Sequence, residues 1–220
     1  MQQLNFEPVL TAEKEEALRE QVRDFLQQYG PFKPGNMIDS WSVCDPEFSR
    51  SLAKHGWLGM TWPSEYGGGD KSYLERYVVI EELLAAGAPV GAHWVADRQS
   101  GPLLLKFGTQ EQREYFLPKI VNGECFFAIG MSEPNSGSDL ASIKTHAERV
   151  EGGWLVNGSK IWTSWAHACH QMITLCRTAP ASENRHAGLS QFIVDLKAEG
   201  LTIDELCQAV ISTCQKLNTS

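Results

Sequence analysis

The 220-residue sequence predicts an α+β protein of more than one domain, an all-α helical N-terminal domain followed by an antiparallel β-barrel or sandwich. Two observations predict it. Up to about Gly123, apolar residues recur at three- and four-residue spacing between recognisable helix starts and stops. Past Asn122-Gly123 the pattern changes to short runs rich in aromatic and branched residues, cut by glycine-bearing turns. The predicted segments are 1–123 for the helical domain, 124–203 for the β-domain, and 204–220 for a tail of different pattern.

Thr11 is placed as N-cap of the first helix, with Glu13, Glu15 and Glu16 at the positive end of its dipole. Leu18, Val22, Phe25 and Leu26 form its apolar stripe, which Gly30 and Pro31 end. Asp45-Pro46 starts a second helix through Phe48 and Leu52 to a stop at Gly56. Trp57 and Trp62, in the irregular stretch before Gly67, Gly68 and Gly69, are expected to plug the core. Ser72 and Glu75 make a capping box for a third helix carrying Val78, Val79 and Leu83 to Gly87. A further helix lies around Pro102 to Phe107 and stops at Gly108. Thr109 and Gln112 form a second box for a short helix ending near Pro118.

Strands are expected near Phe126 to Met131, Thr145 to Val150, Trp154 to Val156, Lys160 to Thr163, Met172 to Cys176 and Ser190 to Asp195. Glu151-Gly152-Gly153 and Asn157-Gly158 read as turns between them. In the tail, Leu206, Val210, Cys214 and Leu217 have roughly helical spacing behind a possible cap at Asp204.

Composition narrows the function. A formal charge of −8 with no run of Lys or Arg argues against a nucleic-acid or anionic-membrane partner. Neither a secretory leader nor an apolar run of membrane-spanning length is visible. The six cysteines show no C-x-x-C pair, and the reading is reduced thiols in a cytoplasmic protein. There is no P-loop, no G-x-S-x-G elbow and no G-x-G-x-x-G.

The informative stretch runs from Phe126 to Ser164. A buried strand breaks at Ser132-Glu133-Pro134-Asn135-Ser136-Gly137-Ser138-Asp139, a loop able to aim several hydroxyls and backbone N–H groups at one point. Ser159-Lys160-Ile161-Trp162-Thr163-Ser164 adds an indole between hydroxyl residues. Together they suit a flat, hydrogen-bonding, electron-poor ring, which is what a flavin presents. Taken singly, each hydroxyl reads better as a turn or strand-edge residue bonded to its own backbone, and only their joint occurrence reverses that weighting.

Ile129 to Asp139 and Val156 to Ser164 closely resemble the two flavin-binding signatures of the acyl-CoA dehydrogenase family, and the resemblance extends from about Glu13 to Ile203. It implies FAD as cofactor and α,β-desaturation of an acyl-CoA, with hydride passing to the flavin. It also implies a homo- or hetero-oligomer and an electron-transfer partner such as an electron-transfer flavoprotein. Carried onto this sequence, it places Ser132 beside the flavin pyrimidine, Ser164 near N5 and Trp162 against the ring, with Thr163 among the cofactor-binding groups of suitable type. Ile129, Gly130 and Met131 would line the same pocket, and Ser138 would meet the incoming thioester or its CoA arm. The family's catalytic base belongs to a C-terminal helical domain that nothing after Ile203 resembles, so no catalytic residue is expected in this chain. The alternative is a truncated, non-catalytic remnant or partner subunit of a flavoprotein complex. Glu133 and Asp139 are read as turn and cap residues rather than acid–base groups, and His167-Ala168-Cys169-His170 lacks metal-ligand spacing.

Overall fold

A computed structural model describes residues 12–32, 43–180, 183–206 and 214–219. The expected Thr11 cap lies outside them. The first helix, α1, spans Glu13–Tyr29 behind Ala12 as N-cap, whose N–H donates to the Glu15 carboxylate at 3.0 Å. The second, α2, is Pro46–Lys54, and Asp45 caps it by accepting the N–H of Glu47 at 2.9 Å and of Phe48 at 3.0 Å. The third, α3, is Tyr73–Ala85, held at its start by the reciprocal Ser72–Glu75 box.

Gly91 to Phe107 departs from expectation, because it is helical well before Pro102. The α-helix α4 (Gly91–Val95) runs through a π-turn at Ala96–Ser100 into α5 (Gly101–Phe107). Helix α6, Gln110–Val121, begins at the Thr109–Gln112 box and passes through Pro118. The proline falls in the last turns, and its carbonyl still accepts the Asn122 N–H at 3.0 Å. One core packs Val22, Phe48, Leu52, Trp57 and Leu83 among the first helices. A second joins Trp62, Leu117 and Ile120 to Phe127 and Ile173 of the β-region, so helices and sheet share apolar contact.

The strands are β1 (Phe127–Gly130), β2 (His146–Val150), β3 (Gly153–Ile161), β4 (Gln171–Arg177), β5 (Leu189–Asp195), β6 (Leu201–Leu206) and β7 (Cys214–Thr219). Their order is β1-β4-β2-β3-β7-β6, with β5 on the other side of β4. The helical-then-β arrangement is as expected, but the sheet is open rather than a closed barrel, and β1 pairs β4 in parallel.

Two local expectations are corrected. Asn157-Gly158 is not a turn but lies inside the continuous β3, where a Cβ at Gly158 would meet Thr145 Oγ1 at 2.3 Å. Close approach of β2, rather than chain reversal, explains that glycine. Where helical spacing was read, the described residues 204–206 and 214–219 are strand, while Val210 lies outside the described residues: β6 and β7 pair antiparallel, Leu201 opposite Thr219, and β7 also pairs β3. Two backbone ladders outweigh a weak helical period there. No helix among the described residues is long and apolar enough to cross a membrane.

Candidate functional site

The buried strand β1 carries Ala128 and Phe127 into the core and delivers Met131 and Ser132 past its end. Strand β3 arrives beside it, and the Ile161 N–H donates to the Ser132 carbonyl at 2.9 Å. That bond joins the two signature segments directly. Beyond it the chain turns sharply: Trp162 has φ 59° and Trp165 φ 61°, both in the left-handed region that bulky side chains avoid. Strained positions of this kind persist where the surroundings over-determine them, commonly at binding sites.

A cleft of about 320 Å³ opens at this junction, within the usual size of small-molecule pockets. Ile129, Met131, Ser132, Trp162 and Ser164 line it. Gly130 is not part of the lining and is buried so closely that a Cβ would meet Met172 Sδ at 2.7 Å. Thr163 points inward and is fully buried, and its hydroxyl has no partner. Ser138 stands exposed on the loop and is not part of the lining. The opposite wall comes from α4 and the π-turn through Gly91, Trp94, Val95 and Gln99, with Ile161 and Trp165 completing the rim. Sequence reading missed these six, although Gly91, Trp94, Val95 and Gln99 fall at i, i+3, i+4 and i+8 of one helix face.

No charged side chain lines the cleft among the described residues. Glu133 lies behind it, where its carboxylate takes Lys160 Nζ at 2.9 Å and the N–H groups of Lys144 and Thr145 at 2.7 and 2.9 Å. Burial alone would raise its pKa, but those hydrogen bonds prevail and hold it below the usual carboxylate range. Asp139 precedes the 3₁₀ turn Leu140–Ser142 as expected, accepting from the Ser142 hydroxyl and the Arg185 guanidinium. His170 Nδ1 receives the Phe126 N–H at 3.1 Å, while Cys169 packs in the core. The free cysteines Cys44, Cys125, Cys169 and Cys176 all have thiols pushed up by burial, which suits packing and not nucleophilic chemistry. His93, behind the helical wall, is pushed down to about 3 by burial and pairs with the Ser49 hydroxyl at 2.8 Å. The cleft is therefore an uncharged, aromatic, hydroxyl-rimmed slot.

A larger open groove of about 660 Å³ lies between Leu103, Phe107, Trp154 and Phe192, but it holds none of the signature residues.

Residues 12–124 match the family model for the acyl-CoA dehydrogenase N-terminal domain, and residues 128–212 match that for the acyl-CoA dehydrogenase middle domain. The chain belongs to the acyl-CoA dehydrogenase family. Among family relatives, it is 34% identical over 199 residues to acyl-CoA dehydrogenase FadE26 of Mycobacterium tuberculosis, covering 90% of this chain and 46% of that one. It is 32% identical over 210 residues to mitochondrial isovaleryl-CoA dehydrogenase of Pongo abelii, covering 93% and 50% respectively. The fold matches the crystal structure of the ChsE4-ChsE5 complex from Mycobacterium tuberculosis with a TM-score of 0.84 at 30% identity, covering 97% of this chain and 55% of that one. The chain thus spans about half the length of the family members it matches.

Proposed function

We propose that this chain binds FAD in the cleft and supplies the flavin-holding part of an enzyme that desaturates an acyl-CoA thioester between Cα and Cβ. One observation carries the reading: two segments 30 residues apart in sequence, around Ser132 and around Trp162, converge on one uncharged slot. Bound there, FAD would accept the β-hydrogen as hydride.

The chain's own residues bind and orient. Ser132 offers its hydroxyl and backbone to the pyrimidine end and Ser164 serves the N5 side, while the fully buried Thr163 would hold the backbone between Trp162 and Ser164. Trp162, 64% exposed at the rim, provides a face for stacking. Ile129, Gly130 and Met131 exclude water behind the ring. Ser138 would reach the acyl-CoA only from the outer loop. The α-proton needs a carboxylate, and none lines the cleft among the described residues, so the base must come from elsewhere. A C-terminal helical domain of the family's kind, or a different partner subunit, would supply it; the assembly would be a homo- or hetero-oligomer, and an electron-transfer flavoprotein would collect the electrons. The uncharged lining also favours a second reading, a non-catalytic partner subunit that holds flavin without turning over substrate. The absence of a pairing pattern among the six cysteines supports a cytoplasmic setting.

Titrating the purified chain with FAD tests this. A yellow protein that acyl-CoA bleaches supports the enzyme, and colour that never bleaches supports the partner subunit. A protein that takes up no flavin overturns both. Trp162→Ala is expected to weaken FAD binding by about tenfold, the scale of one lost aromatic contact. Unchanged affinity in that variant would remove Trp162 from the site.

A further inference from the structure

Behind the cleft, the two signature segments are clamped by a sealed ion pair. The Lys160 and Glu133 side chains are only 3% and 8% exposed, with Nζ 2.9 Å from Oε1. Lys160 Nζ also donates to the Met131 carbonyl at 3.0 Å. Its stem runs beneath Gly130, where a Cβ would meet Lys160 Cγ at 3.3 Å. Glu133 is tied in turn to the start of the next segment through the Lys144 and Thr145 amides. Every polar group of the pair is thus engaged within a few residues of the cleft.

Buried pairs of this kind add little net stability over apolar packing, and their best-attested use is to fix one arrangement among several. Two apolar side chains could fill the same space. They could not hold the Met131 carbonyl, the peptide that leads into Ser132. The surrounding donors keep Glu133 ionised at neutral pH, so the clamp is permanent under ordinary conditions.

We propose that Glu133 and Lys160 are a positioning pair, which orients the Met131–Ser132 peptide against Trp162–Ser164 and so sets the cleft's affinity for a planar cofactor. Its second half rests on the flavin reading above, and its first half does not. Neither residue touches the cleft, so both act through the backbone they hold.

The test compares the full chain with Lys160→Met and with the neutral double variant Glu133→Gln, Lys160→Met. Amide hydrogen exchange at Ile161, which bonds the Ser132 carbonyl, is measured by NMR against strand β4 as internal reference. Global unfolding and FAD titration are recorded alongside. The expected result is exchange at Ile161 accelerated more than tenfold relative to β4, with FAD affinity reduced about tenfold, as for one lost charge-assisted hydrogen bond. Should Lys160→Met fail to fold, the double variant decides: it is expected to regain global stability while Ile161 stays labile and FAD binding stays weak. Wild-type exchange at Ile161 together with wild-type FAD affinity in the double variant overturns the proposal. So does exchange that rises uniformly across the sheet, since that is what a purely structural pair would give. If the wild-type chain takes up no FAD, the flavin reading fails alone, and the Ile161 exchange still decides whether the pair positions the peptide.

Discussion

Glu82 and Glu133 are both buried carboxylates gripped by cations, and they sit in the two halves of the molecule. Glu82, on α3, accepts from Nε and Nη2 of Arg23, at 2.7 and 2.9 Å, and also from Arg19, both arginines on α1. Arg23 remains 56% exposed and Glu81 joins at the surface, so the cluster is an outer clasp between two helices already packed through Val22 and Leu83. Glu133 instead meets a single lysine, sealed from solvent, and spends its remaining acceptors on backbone N–H groups. The difference is one of what is being held. The outer cluster joins elements whose relative position apolar contact already fixes, whereas the inner pair ties the loop after β1 to strand β3 and to the segment that enters β2.

Removing a partner should expose that contrast. Glu133→Ala leaves the Lys160 ammonium buried and unpaired, and is expected to cost about 3–5 kcal/mol in urea unfolding. Acid should reach part of the same loss gradually. Glu133 is held below its unfolded value of about 4.3, so its contribution is complete above that pH and disappears as pH falls through the folded value. A flat stability profile from pH 5 down to pH 2 would contradict this. Glu82→Gln should cost only about 1 kcal/mol, because its arginines can turn to water and to Glu81. A loss equal to that of Glu133→Ala would erase the distinction drawn between the two sites. Smallest of all, raising salt from about 0.1 to 1 M should weaken the Glu82 cluster by a few tenths of a kcal/mol and leave Glu133 untouched, as a double-mutant cycle at each ionic strength would show.

What the sequence made legible is what is decided locally. Asp45, Ser72 with Glu75, and Thr109 with Gln112 each satisfy backbone groups within three residues of themselves, and all three caps form as read. Trp57 and Trp62 plug the core as read, together with Leu58, Met60 and Tyr66 of the same stretch. Met131, Ser132, Trp162 and Ser164 all line one cleft. The helical wall of the cleft was not legible. Trp94 and Gln99 face the slot only because α4 crosses the end of β1, a contact between parts of the chain more than 30 residues apart that no local spacing specifies. The π-turn at Ala96–Ser100 likewise has no local signal, although the buried Asp97 within it accepts the Gly59 N–H at 2.7 Å. Gly158 misled because Asn-Gly favours a turn, and here the close passage of Thr145 decided the matter instead. Cys214 and Leu217 misled because the pairing of β7 is supplied from β3, far away in sequence.

The left-handed backbone at Trp162 sets two pressures on that position against each other. A glycine there would relax the chain and lose only a mostly solvated indole. Selection for heat resistance alone should therefore drift toward glycine, while selection for ligand retention should keep the tryptophan, and the residue found in any descendant of this chain records which pressure it lived under.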